Sequence, residues 1–222
     1  MMPRSSVRVM MFVAFAGLLG IAGCSDVPKA PPRFKLDPEQ AAQEAMRLYD
    51  KDGDGKIDAK ELEASPPLQE LLLNIKAKNA PRGTPVTLTA ADNLTEADIK
   101  DHLEELVKSP SILVSAQFAV QLDGKPLEGG TVTFTPEAFL GGSFKNHTGQ
   151  TNNFGNVLLD ADMPQQYPNL MYVGLYRVSV SKMVNGKELI PAKYNKQTTL
   201  GRELSSEARD PRANIFIRLT SK

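Results

Sequence analysis

The chain reads as an α+β protein in two parts, a helical N-terminal pair followed by an antiparallel β-sandwich. Three observations give this class. Apolar residues recur at helical spacing through the first half, as in Ala41, Ala42, Ala45, Met46 and Tyr49. After Pro110 the apolar period drops to two, as in Tyr176, Val178 and Val180 with Arg177, Ser179 and Ser181 between them. Within the helical part, "DKDGDGKIDAKEL" (residues 50–62) sets five acidic side chains around two glycines. These readings divide the 222 residues into a leader 1–23, a tether 24–36, a helical domain 37–109 and a β domain 112–222.

Asp37-Pro38-Glu39 reads as an N-cap, a proline in the first turn and an early acid, so a helix starts there and runs to Tyr49. With Asp50 as position 1 of the loop, Asp52 falls at 3, Asp54 at 5, Gly55 at 6, Lys56 at 7, Asp58 at 9 and Glu61 at 12. A hard cation such as Ca²⁺ takes six to eight oxygens, and carboxylates at 1, 3 and 5 point inward from a tight turn. Lys56 would contribute its main-chain carbonyl, Asp58 would act at position 9, and Glu61 would close the shell with two oxygens. Gly55 takes the sharp bend, where a Cβ would clash. Without a cation, aspartates this dense repel one another. The pattern resembles the EF-hand motif. The resemblance implies bound Ca²⁺ held by Asp50, Asp52, Asp54, Lys56, Asp58 and Glu61.

Glu61-Leu62-Glu63 begins an exiting helix that Pro66-Pro67 cuts short. Leu68, Leu71, Leu72 and Ile75 form the apolar face of the next helix. Such hands come in pairs, and "LTEADI" (94–99) aligns with "IDAKEL" (57–62), which sets Leu94 against Ile57. Thr95 and Asp98 read as a capping box for a helix through Ile99, Leu103, Leu106 and Val107. Positions 1, 3, 5 and 6 of this second loop, at about 87–98, are Thr87, Thr89, Ala91 and Asp92. The carboxylate pattern and the glycine are gone. The loop is expected to pack against the first without binding metal well, with Asp92 and Asp98 as its weak candidate ligands.

Arg4 and Arg8 precede the uncharged run Val9–Gly23, which is too short to span a membrane and fits the centre of a secretory signal. It ends "IAGC", similar to the lipobox of bacterial lipoproteins. That resemblance implies cleavage after Gly23 and a diacylglyceryl thioether on Cys24, the lone cysteine, with Ile21 in place of the usual leucine. The expected location is therefore the cell envelope, lipid-anchored to a bacterial membrane on the extracytoplasmic side. "SDVPKAPPRFK" then reads as a semi-rigid tether. Calcium is plentiful outside the cytoplasm, and sites there bind in the range of about 10⁻⁴–10⁻³ M. A permanently loaded clip is expected rather than a switch.

In the β part, "AQFAVQL", "TVTFT", "VLL", "GLYRVSVSK" and "ANIFIRL" read as strands, separated by turn clusters such as "DGKPLEGG" and "NNFGN". The order "LDGKPLEGGTVTFTP", "GQTNNFGNVLL", "GLYRVSVSK", "ELIPAKYNKQTTL" resembles the carboxypeptidase regulatory-like, or transthyretin-like, domain. The resemblance implies a seven-stranded β-sandwich over about 112–222 and says little about function. Tyr194 is expected to pack at the sandwich edge rather than to contact a ligand.

No catalytic constellation appears. His102 is expected on a helix surface and His147 in a polar loop, with no zinc spacing between them. No phosphate-cradling glycine loop or nucleophile elbow is present, and the chain is expected not to be an enzyme. Without Arg4 and Arg8, the 26 basic residues become 24 against 26 acidic ones, which gives no electrostatic case for nucleic acid. The expected function is a lipid-anchored envelope protein with structural calcium, its sandwich supporting or binding something. Two alternatives stand beside it. One is an adhesion or scaffold module for a polysaccharide or an envelope protein, with calcium incidental. The other is a dockerin-like assembly module, disfavoured by Glu61 at position 12 and the helix before the loop.

Overall fold

A computed structural model describes residues 35–81, 83–109, 112–160, 170–205 and 215–222. The leader 1–23, Cys24 and the tether through residue 34 lie outside the described residues. The described residues belong to one compact unit. Among the described residues, no helix is long and apolar enough to cross a membrane.

Helix α1 (Pro38–Tyr49) is capped by Asp37, whose Oδ1 accepts from the amides of Glu39 and Gln40 at 3.1 and 3.2 Å. It buries Ala41, Ala42 and Ala45, small residues that let α3 (Glu96–Lys108) approach closely. Helix α3 begins with the expected capping box: the Asp98 amide donates to Thr95 Oγ1 at 3.2 Å, and the Thr95 amide donates to Asp98 Oδ2 at 2.9 Å. Asp98 is thereby committed to the cap. Strands β1 (Lys56–Asp58) and β2 (Asn93–Thr95) pair antiparallel with Ile57 opposite Leu94, both fully buried, in the register expected from sequence.

The exit from the first loop differs from expectation. Glu61–Ala64 is a single 3₁₀ turn, and Pro66-Pro67 opens helix α2 (Pro66–Asn79) rather than ending one. The physical reason is that the first-turn amides of a helix have no intrahelical partner, so prolines cost nothing there, and their fixed φ suits the helix.

The β part comprises β3 (Leu113–Ser115), β4 (Phe118–Leu122), β5 (Lys125–Pro126), β6 (Thr131–Pro136), β7 (His147–Thr151), β8 (Val157–Leu159), β9 (Leu170–Tyr172), β10 (Gly174–Ser181), β11 (Met183–Val184), β12 (Lys187–Glu188), β13 (Leu200–Leu204) and β14 (Ile215–Leu219). A five-stranded antiparallel sheet runs β13-β10-β6-β7-β8 and a three-stranded one runs β14-β4-β5. Phe118 of β4 packs on Phe134 of β6 with ring centroids 4.5 Å apart, which joins the two sheets through their inner faces. The expectation of a wholly antiparallel arrangement needs one correction: β14 runs parallel to β4, with Ile217 opposite Val120. Both strand directions share the two-residue period, so alternation alone does not distinguish them.

The other face of the large sheet is covered by the helices. Helix α2 lies along β13 and β10, and the buried apolar residues from Ala41 to Leu219 form one continuous core. Two expectations fail here. His102 is not on the surface but 7% exposed, on the same helical stripe as Ile99, Leu103 and Leu106, with Nε2 3.4 Å from Glu203 Oε1 on β13. Its flanking acids, Asp101 and Glu105, obscured that spacing. His147 is the first residue of β7, buried, with its ring against those of Tyr172 and Tyr176.

The closeness of this packing is greatest at Gly201, where a Cβ would lie 2.1 Å from the Pro66 carbonyl carbon. Gly201→Ala is expected to cost on the order of 2 kcal/mol, read as a lower unfolding temperature. Gly142→Ala, where a Cβ meets nothing within 4 Å, is expected to leave the transition unchanged.

Candidate metal centre

Helix α1 ends at Tyr49 and delivers Asp50 to the loop, where its carboxylate organises the turn. Oδ1 accepts from the Gly53 amide at 2.7 Å and Oδ2 from the Gly55 amide at 3.0 Å. Asp52 Oδ1 accepts from the Asp54 amide and Asp54 Oδ1 from the Lys56 amide, at 3.2 and 2.9 Å, so two further aspartate turns continue the curl. Gly53 and Gly55 have φ of +75° and +84°. A Cβ on Gly55 would meet nothing within 4 Å, so the glycine is required by its own left-handed backbone and not by a clash with neighbouring groups.

This curl brings one carboxylate oxygen each from Asp50, Asp52 and Asp54 to within 4.8 Å of one another. Ca²⁺–oxygen distances of about 2.3–2.6 Å place two ligand oxygens of one ion no more than about 5 Å apart. The three oxygens therefore fit a single ion of that size, and their hardness suits Ca²⁺. Asp58 and Glu61 stand outside this cluster. Asp58 Oδ1 accepts from the amides of Lys60 and Glu61, both at 2.8 Å. Glu61 reaches back over the loop: Oε1 accepts from the Lys51 amide at 2.6 Å and the Asp52 amide at 3.4 Å, and Oε2 accepts from Asp58 at 3.0 Å. Lys56 opens β1 opposite Thr95, with its main-chain carbonyl as its only oxygen. The loop thus holds three expected ligands together and keeps Asp58 and Glu61 at its rim, on backbone amides.

The second loop is closed by a different cation. Lys76 of α2 donates from Nζ to Asp92 Oδ2 at 2.5 Å and to the Thr87 carbonyl at 3.0 Å. Asp92 also accepts from the Thr89 amide and hydroxyl at 2.6 and 2.9 Å. Neither Asp92 nor Asp98 is presented for metal, so the structure does not bring these weak candidates together.

Sequence reasoning missed a polar group beside the first loop. Glu137, just after β6, is buried, with Oε1 3.1 Å from Arg177 Nε of β10. The Tyr49 hydroxyl donates to Glu137 Oε2 at 2.6 Å and the Ser65 hydroxyl to Oε1 at 2.9 Å. Arg177 also donates to the Tyr49 oxygen at 3.1 Å and to the Ala64 carbonyl. Burial, and then the Glu137 carboxylate, push the Tyr49 phenol up. Strand alternation had put Arg177 on the outward face. The available signal was Leu175 on that same face, an apolar residue that needs cover. Tyr194 packs at the edge as expected, its hydroxyl 3.1 Å from Thr220 Oγ1.

The Lys76 and Thr89 bonds hold the Asp92 carboxyl at about 2, against 3.8 ordinarily, with Lys76 the larger cause. The folded chain then binds fewer protons at Asp92 than the unfolded one. This contribution to stability is present above about pH 4 and is lost as pH falls toward 2. Asp92→Asn is expected to flatten that part of the acid-unfolding curve followed by circular dichroism.

The EF hand domain family model matches residues 41–64, from within α1 through the loop to the end of the 3₁₀ turn. No curated protein and no solved structure matches the chain.

Proposed function

We propose that the protein is a lipid-anchored component of the bacterial cell envelope in which one calcium ion fixes the helical part. The observation that carries this reading is the convergence of Asp50, Asp52 and Asp54 oxygens within 4.8 Å, in the loop that the EF-hand family model matches. Asp50, Asp52, Asp54, Asp58 and Glu61 would hold the ion with the Lys56 carbonyl, and the ion would supply positive charge and fixed geometry. The chain's own part is to curl the loop with three aspartate turns and two left-handed glycines and to seat Ile57 against Leu94. The burial of that pair supports a structural role: β1 ties the exposed loop to the core.

The sequence "IAGC" supports an anchor on Cys24 after loss of residues 1–23. The role is non-enzymatic, and nucleic acid is not its partner. The β part is read as a transthyretin-like sandwich, supported by its turn sequences and by the Phe118–Phe134 contact between the sheets. It acts as a platform for the helices. A binding role toward an envelope protein or polysaccharide is favoured by Phe154, which stands 70% exposed in the turn before β8, and by Leu158 of β8, which is also exposed. On that reading Phe154→Ala is expected to lower retention on a glycan array or by envelope extracts, and equal retention contradicts it.

Calorimetry of the chain with excess calcium against chelator tests the calcium reading. At tenfold excess over Kd, calcium is expected to add about 1.4 kcal/mol, or roughly 3–5 °C of unfolding temperature. Glu61→Gln and Asp54→Asn are expected to remove most of that gain. An identical transition with and without calcium contradicts the reading. Mass spectrometry of the protein from membranes is expected to show a chain beginning at acylated Cys24, and retention of residues 1–23 contradicts the anchor.

A further inference from the structure

The calcium loop has two ends, and the same ion pair, buried Glu137 just after β6 and half-buried Arg177 of β10, grips both. Tyr49 immediately precedes Asp50, and its hydroxyl meets both Glu137 Oε2 and Arg177. Ala64 and Ser65 follow Glu61 by three and four residues. The Ala64 carbonyl accepts from Arg177 and the Ser65 hydroxyl donates to Glu137 Oε1. Glu137 is 72 residues from Ser65 and 88 from Tyr49, so these contacts exist only in the folded unit. Its carboxylate takes three donors, which satisfies a side chain that is 2% exposed. The Tyr49 ring also meets Phe139 edge-on at 6.4 Å, which restricts the phenol further.

We infer that Glu137 and Arg177 are positioning residues for the metal loop: they fix the separation of its two ends, so calcium affinity is set partly by the β-sheet. The inference rests on the calcium reading above. A loop whose ends are held loses less freedom when its carboxylates close on an ion. Linkage makes the effect mutual: loading the loop stabilises the Glu137–Arg177 contact by the same free energy with which that contact favours loading. The pair is well suited to this. Its charge-assisted bonds are directional, and removing Arg177 would leave the Glu137 carboxylate buried without its cation, so the clamp resists loosening. No clamp of this kind is needed at the second loop, where Lys76 already supplies a cation.

The test uses the whole chain. Calcium titration calorimetry compares wild type with Glu137→Gln and with Ser65→Ala, a milder change that removes one donor to the same carboxylate. Val132→Ala, a core truncation in β6 away from the network, controls for lost stability. Glu137→Gln is expected to weaken calcium binding roughly five- to tenfold and Ser65→Ala less, with Val132→Ala unchanged. Wild-type affinity in Glu137→Gln, or an equal loss in Val132→Ala, overturns the clamp. Amide hydrogen exchange without metal is the second readout. Gly53, Gly55, Lys56 and Glu61 are expected to exchange faster in Glu137→Gln and Ser65→Ala. If wild type takes up no calcium, the calcium reading fails, and exchange alone decides whether the sheet positions the loop. Unchanged exchange in both variants overturns the inference.

Discussion

Charge crowding at residues 50–54 is the constraint around which this chain is arranged. Three carboxylates are drawn within 4.8 Å by their own turns, and each accepts from a loop amide. Amide donors offset part of the repulsion, but the arrangement concentrates negative charge that only a cation neutralises fully. The surrounding fold keeps the crowding in place: Ile57 is buried against Leu94, Glu61 closes over the loop amides, and the sheet holds both flanks.

The two loops show two answers to one problem. They pair through Ile57 and Leu94. In the second loop, Lys76 brings an ammonium group from α2 to Asp92 and the Thr87 carbonyl. That cation is covalently part of the chain and always present, and one acid suffices to hold it. In the first loop the acids are many and Lys51 and Lys56 serve through their main chain, so on the calcium reading proposed above the cation comes from outside. The second loop thus keeps the β1–β2 pairing and meets its acid with a side-chain ammonium.

Much of this was legible in the sequence because the signals were local. Ligand spacing, the Asp37 cap, the Thr95–Asp98 box and the Ile57–Leu94 register each depend on a few neighbouring residues whose chemistry permits little else. What was not legible depends on partners distant in the chain. His102 belongs to the buried stripe of α3, yet its neighbours Asp101 and Glu105 suggested solvent. Glu203, about a hundred residues on, meets the imidazole. Arg177 alternates with core residues as an outward side chain should, but the helices cover that face. The parallel pairing of β14 with β4 is a matter of connectivity, to which residue alternation is blind. Pro66-Pro67 was ambiguous because proline both ends and begins helices.

Stoichiometry separates these ideas most directly. Equilibrium dialysis of the purified chain against millimolar calcium should find one ion per molecule, held by the loop at Asp50–Glu61 and lost in Asp54→Asn. Uptake of no ion would contradict the first loop as a metal centre. Uptake of two would contradict the assignment of Lys76 as the cation of the second.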